Sequence, residues 1–374
     1  MKQKAMLIGI GGLGSIVLEL LARDATIDHI VACDINKEVG VARCNLAQLG
    51  AMAQGYDPFI SFVPLDLNKT EKVIEIVQLE KPAIILSTAS LQTWWLPNLL
   101  PPDKAAIIKS AGFGVWLPVH LTLTLKLMQA LKDANYSGII LTAPFPDVVN
   151  YILSRINLAP TCGVGNIDEI VPKLRFLAAQ KLQTSTDIIQ VFLVAHHALE
   201  SYAFGKTGKE KPPYFLRIEH EKKDVSKNVN ADELLFSPYS LPSGPEAHFL
   251  TAGSTVRLIR AFLSNKDSFL HAPAPNGLPG GYPVIVNNTG VKLAPIPHLT
   301  PEEAIDINMR SHRFDGIEQI EDDGTVTFST EAMDILHREL GYKCYHLAPY
   351  ESEERAKELI ARFREYAHKH GINL

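Results

Sequence analysis

Apolar positions in the first 150 residues fall into two alternating patterns. Ala5–Ile10, His29–Cys33, Ile60–Leu65, Ala83–Leu86 and Gly138–Leu141 are short, nearly continuous apolar runs. Runs of that kind fit strands buried on both faces. Between them, Ser15–Ala22, Asn36–Met52, Glu71–Val77 and Leu121–Ala134 place apolar residues at helical spacing; in the second, these are Val39, Val41, Ala42, Leu46 and Leu49. Asp66 or Asn68 is read as a cap of the Glu71–Val77 helix, with a ligand-facing acid the equal reading for Asp66. A turn, Thr142–Asp147, leads from the fifth strand into a helix beginning at Val148–Ser154. Strand and helix in strict alternation predict a mostly parallel, doubly wound sheet.

The second half reads differently. Ile188–Ala195 is an apolar run, Thr207–Ser243 is a polar excursion or hairpin, and Ala247–Leu263 is a helix. Asp322-Asp323-Gly324 before Thr325–Ser329 marks a hairpin. Thr330–Leu340 and Glu351–His368 are amphipathic helices, the latter with Leu359, Ile360, Phe363 and Tyr366 on one face. The expected fold class is α/β: a Rossmann domain over residues 1–147, an α+β second domain over 148–329, and a helical C-terminal extension over 330–374. That extension packs on its own domain or forms a subunit interface, and a homo-oligomer is expected.

Composition changes this picture little. The 374 residues are 46% hydrophobic and 21% charged, with net charge −5. No basic surplus points to nucleic acid. No apolar run is long enough to span a bilayer, so no membrane partner is expected. The apolar N-terminal stretch is explained by the glycine motif below rather than by a signal peptide. Cys33, Cys44, Cys162 and Cys344 form no C-x-x-C pair, so a reduced, cytoplasmic protein without a metal site is expected.

The chemistry is concentrated in Lys4–Asp34. Gly9-Ile10-Gly11-Gly12-Leu13-Gly14 fits G-x-G-x-x-G between strand and helix, and Asp34 ends the next strand. That order is the dinucleotide-binding fingerprint. Gly9 permits the tight turn, Gly11 lets a pyrophosphate approach the backbone, and Gly14 lets the helix sit against the sheet. The helix N-terminus offers unpaired N–H groups to phosphate. Asp34 suits the two ribose hydroxyls of NAD and repels a 2′-phosphate; Lys37 and Arg43 keep NADP open. Thr88 and Ala89, after the fourth strand, are small enough to let the nicotinamide ribose approach. Trp94 and Trp95 follow in a proline-rich loop, read either as a buried plug or as a lid.

Five later segments, in order, carry a resemblance. They are APFPDVVNYILSR, GVGNIDEIVPKLRFLAAQKL, VFLVAHHALESY, LPGGYPVIVNNTGVKL and HLTPEEAIDINMRS. Together with the glycine motif they resemble the lactate/malate dehydrogenase superfamily over roughly residues 1–311. The resemblance implies NAD-dependent hydride transfer on a small hydroxy or carbonyl substrate. It places the catalytic histidine at His197, with His196 as neighbour. It also places the orienting aspartate at Asp168 and the substrate-gripping arginine at Arg175. Independently, such chemistry needs a group that exchanges a proton near neutral pH, and a histidine fixed by a buried carboxylate suits it. His120 and Lys109 are further candidates, and His248 lies near the family's substrate-contacting threonine.

The chain also departs from the family. Between Arg43 and Arg155 there is no arginine, where the family's mobile loop carries one or two. Thr142-Ala143 replaces the nicotinamide-side asparagine. The first domain further resembles saccharopine-dehydrogenase-like reductases through LDLNKTEKVIEIV. Two rival functions therefore stand beside the first: a saccharopine- or opine-type reductase forming a C–N bond, and a nucleotide-binding protein without catalysis.

Overall fold

The structure is a computed structural model describing residues 3–205, 210–242 and 244–374. Of the polar excursion at Thr207–Ser243, residues 207–209 and 243 lie outside the described residues.

The first layer system runs β1 Lys4–Ile8, α1 Gly12–Leu21, β2 His29–Asp34, α2 Lys37–Met52, β3 Ile60–Pro64, α3 Thr70–Glu80 and β4 Ile84–Ser87. It continues with α4 Pro102–Ser110, α5 Leu117–Asp133, β5 Ile139–Thr142, α6 Pro146–Arg155 and β6 Cys162–Gly163. The six strands are parallel in the order β3-β2-β1-β4-β5-β6. Side chains alternate across the sheet: Met6 and Ile8 enter one core, Ala5 and Leu7 the other. The apolar runs are continuous because both faces are covered by helices.

Three local expectations change. The helix after β3 starts at Thr70 behind Lys69, which provides no side-chain cap. Asp66 instead closes a turn, accepting from the Asn68 backbone and amide at 2.9 Å each. α4 occupies part of the stretch read as loop. Its Pro102 sits at the start, where a proline costs no helical bond. Only Ala105 and Ile108 of α4 are buried, too few to give a periodic signal. The first sheet also extends to β6, beyond residue 147.

The second layer system runs α7 Ile167–Leu182, β7 Ile189–Ala195, α8 Ala198–Ala203, β8 Tyr214–His220, β9 Lys223–Asp224, α9 Ser226–Val229 and α10 Ala231–Phe236. Then follow α11 His248–Phe262, β10 Ser268–Pro273, β11 Gly281–Asn287, β12 Gly290–Leu293 and α12 Pro301–Ser311. Its sheet is antiparallel, β10-β11-β7-β8-β9, with β12 on β11. α11 packs along α1 and joins the two halves.

The tail comprises β13 Ile317–Ile320, β14 Val326–Phe328, α13 Thr330–Leu340, β15 His346–Leu347 and α14 Ser352–Lys369. The hairpin expected at Asp322–Gly324 joins β13 and β14. α14 packs on α5: Phe363 meets Trp116 edge-to-face at 5.1 Å, and Lys126 pairs with Glu353 at 2.6 Å. No single described helix is long and apolar enough to cross a membrane.

Candidate active site

The strand order reverses between β1 and β4, and in open parallel sheets ligands bind beyond the strand ends at that point. A cavity of about 990 Å³ opens there, lined by the glycine loop, Asp34, Thr88, Ala89 and residues of the second half.

The loop's backbone follows from its glycines. Gly9 has φ +85°, and a Cβ on it would stand 2.9 Å from the Ala89 nitrogen. A Cβ on Gly14 would stand 2.0 Å from the Gly9 carbonyl oxygen, so α1 approaches β1 only through glycine. A Cβ on Gly11 would meet nothing within 4 Å, because that side of the loop faces open cavity. Thr88 braces the turn by donating its hydroxyl to the Gly9 carbonyl. Asp34 accepts from the Ile10 N–H at 2.8 Å and the Asn36 N–H at 2.9 Å while still lining the cavity. α1 has no side-chain cap and no acid in its first turn. A bare helix start, an open glycine and a rim carboxylate together fit a dinucleotide.

The second half brings His197 to the same cavity. Its backbone N–H donates to Asp147, at 2.5 Å, and Asn166 donates to the other oxygen of Asp147 at 3.0 Å. Phe113 and Phe145 flank the ring at 4.9 and 5.3 Å. Its Nδ1 faces Asp315 Oδ2 at 3.3 Å. Among the described residues Nε2 has no protein partner. Burial favours the neutral ring, but the Asp315 charge and hydrogen bond, with Glu200 and Asp147, outweigh it and raise His197 to about 9. Burial raises Asp315 too, yet His197, His196 and His312 hold it below its ordinary value.

Asp315 enters from beyond α12, and the chain makes room for it. Cβ atoms on Gly112 and Gly114 would stand 2.4 and 2.5 Å from the Asp315 carbonyl carbon and oxygen. Those two glycines therefore let the 112–114 turn grip the Asp315 backbone.

Glu169 and Glu200 also line the cavity, from the second half of the chain. They hydrogen-bond each other, and Thr251 donates to Glu169 at 2.7 Å. Burial raises both, Glu200 to about 7, and the Glu200 charge further disfavours ionisation of Glu169.

The expected dyad partner is corrected. Asp168 does not meet His197 and does not line the cavity; it binds Ser254 at 2.6 Å and the Arg257 guanidinium. Arg175 also lies outside the cavity, donating to the Thr186 carbonyl at 2.8 Å. No arginine lines the cavity among the described residues. His196 is buried, and burial drives it well below its ordinary value. His120 lines the cavity, but burial lowers it to about 4; Lys109 is the lysine on the rim. Trp94 is not a buried plug: it is 42% exposed and lines the cavity. His248 starts α11 but does not face solvent; it is buried over Gly12.

Sequence reasoning missed Asp315, Asp147's backbone role and the Glu169–Glu200 pair. The Asp315-Gly316 step after a helix was the available local signal, and it marks any turn.

No protein-family model and no curated protein sequence matches the chain. Solved structures do share its fold. Malate dehydrogenase from Cryptosporidium parvum superposes with TM-score 0.58 at 15% identity, covering 84% of this chain and 97% of that one. Lactate dehydrogenase from the same organism, complexed with lactic acid and the cofactor, gives 0.57 at 15%, covering 84% and 98%. Lactate dehydrogenase from Eimeria maxima, with NADH and oxamate, gives 0.56 at 14%, covering 83% and 93%. The chain thus has the lactate/malate dehydrogenase fold.

Proposed function

We propose that the chain is an NAD-dependent oxidoreductase that moves a hydride between the nicotinamide and a small hydroxy or carbonyl substrate. The observation carrying this reading is that the glycine loop with Asp34 and the His197–Asp315 dyad line one cavity. NAD, when bound, supplies the hydride acceptor, and NADH the donor. The loop and the α1 N-terminus would hold the pyrophosphate, and Asp34 the ribose diol. His197 holds or releases the proton at Nε2, and Asp315 at Nδ1 fixes the tautomer and stabilises the imidazolium. The substrate oxygen would lie against Nε2, shielded from water by Phe113 and Phe145.

With no arginine in the cavity and two glutamates facing it, a carboxylate-bearing hydroxy acid is poorly matched. The Glu169–Glu200 pair favours a second reading, reduction of an imine or oxidation of an amine, because two acids bonded to each other on the cavity wall offer carboxyl oxygens to a cationic nitrogen.

A substrate screen followed by nicotinamide absorbance tests both. It compares hydroxy acids, neutral hydroxy and carbonyl compounds, and amines. Turnover on the second group supports the first reading and on the third group the second. NADH binding without turnover on any of them would leave a nucleotide-binding protein without catalysis. His197→Asn should cut turnover by about 10²–10⁴-fold while leaving NADH affinity nearly unchanged.

A further inference from the structure

A buried donor over the glycine loop has no partner. His248 opens α11 and is 8% exposed. Its Nε2 faces the Trp94 indole Nε1 at 3.0 Å. An indole N–H only donates, so Nε2 must be the acceptor. With Nε2 accepting, the ring's proton sits on Nδ1, and burial disfavours a second proton. That Nδ1 is buried without a hydrogen-bond partner. It lies 2.9 Å from where a Cβ on Gly12 would stand, over the first residue of α1. A buried N–H left unpaired is rare in proteins and marks a place for a missing acceptor. Here the acceptor would lie at a bare helix start, where backbone N–H groups and the helix dipole favour an anion.

We propose that His248 is a phosphate ligand: its Nδ1–H donates to an anionic pyrophosphate oxygen of the dinucleotide, with Trp94 holding the ring in that tautomer. This rests on reading the cavity as a dinucleotide site. It adds a contact from the second half of the chain to a phosphate otherwise held by the first. Trp94 comes from the loop after β4 and His248 from α11, so their bond spans the cleft over the loop.

The test compares the wild-type chain with His248→Phe, His248→Ala, His248→Gln and Trp94→Phe. NADH binding is measured by calorimetry, and binding of adenosine, which lacks phosphate, by ligand-observed NMR. A hydrogen bond to a charged oxygen corresponds to about 10- to 100-fold in affinity. His248→Phe and His248→Ala should weaken NADH by about that factor and leave adenosine unchanged. His248→Gln should recover part of the loss, and Trp94→Phe should show a smaller one. If the phenylalanine variant does not fold, the alanine and glutamine variants decide. Wild-type NADH affinity in these variants overturns the inference and leaves the dinucleotide reading intact. Tighter NADH binding by His248→Ala also overturns it, because the ring is then a plug over the loop. Equal losses for adenosine and NADH overturn it as well, assigning the ring to shape. A wild-type chain that binds no dinucleotide removes the reading and the inference together.

Discussion

Gly11 and Gly14, three positions apart at the cap and in the first turn of α1, do different work. A Cβ on Gly11 meets no atom within 4 Å, so Gly11→Val should keep its melting temperature and lose NADH binding by calorimetry. Gly14→Ala drives a methyl into the Gly9 carbonyl, so it should lower the melting temperature first. The His197–Asp315 dyad sets the pH dependence. Carbonyl reduction needs the imidazolium, so its rate should fall as pH rises through about 9. Asp315→Asn removes the charge that raises His197, so the fall should begin lower, towards the ordinary value of 6.5. A pH–rate profile for which the variant matches wild type would sink the Asp315 role. The same raised pKa also stabilises the fold, fully below 6.5, and that contribution is lost as pH rises through about 9. The glycine loop and Asp34 were legible in the sequence because their spacing is local: strand, glycine turn, helix and acid all fall within one βαβ unit, and Gly14 there answers a clash with the Gly9 carbonyl. The resemblance led to His197, which the fold brings to the cavity. Asp315 was not, because nothing near it in the chain says which histidine it will face. Asp168 misled because an acid early in a helix reads the same whether it meets a histidine or, as here, Arg257.

Among the elements, the first five strands could be read from apolar runs, since both faces of the sheet are covered. α4 and the start of α3 could not, because α4 buries only two side chains and α3 begins without a capping residue. Lys173 shows what helix patterns conceal. It sits inside α7 and donates to the carbonyls of Ala203, Leu235 and Ser237 at 2.6, 3.0 and 2.7 Å. Those carbonyls close α8 and end α10, so one ammonium ties three helices together. Burial lowers Lys173 to about 8. Lys173→Met keeps the stem and strands the carbonyls. It should cost about 1–3 kcal/mol, read as a lower urea midpoint with unchanged slope.

At the scale of the whole molecule, the tail belongs to the first core. Phe363, Leu359 and Ala356 are buried with Trp116 and the α5 side chains. Phe363→Ala should therefore destabilise the Rossmann half by about 3–5 kcal/mol, although it lies far along the chain. NADH at 100 times its Kd should restore about 2.7 kcal/mol of this, seen as a rise in melting temperature. The dyad has a related property. His197 and Asp315 stand 118 residues apart in sequence, and the backbone of Asp315 is gripped by the turn at 112–114. Their meeting requires two long chain loops to close, a slow event compared with forming local helices and neighbouring strands. Proton transfer is then the last capacity a refolding chain acquires. Secondary structure should return first in a stopped-flow experiment, nucleotide binding by the local βαβ unit next, and turnover only when the distant turn has locked.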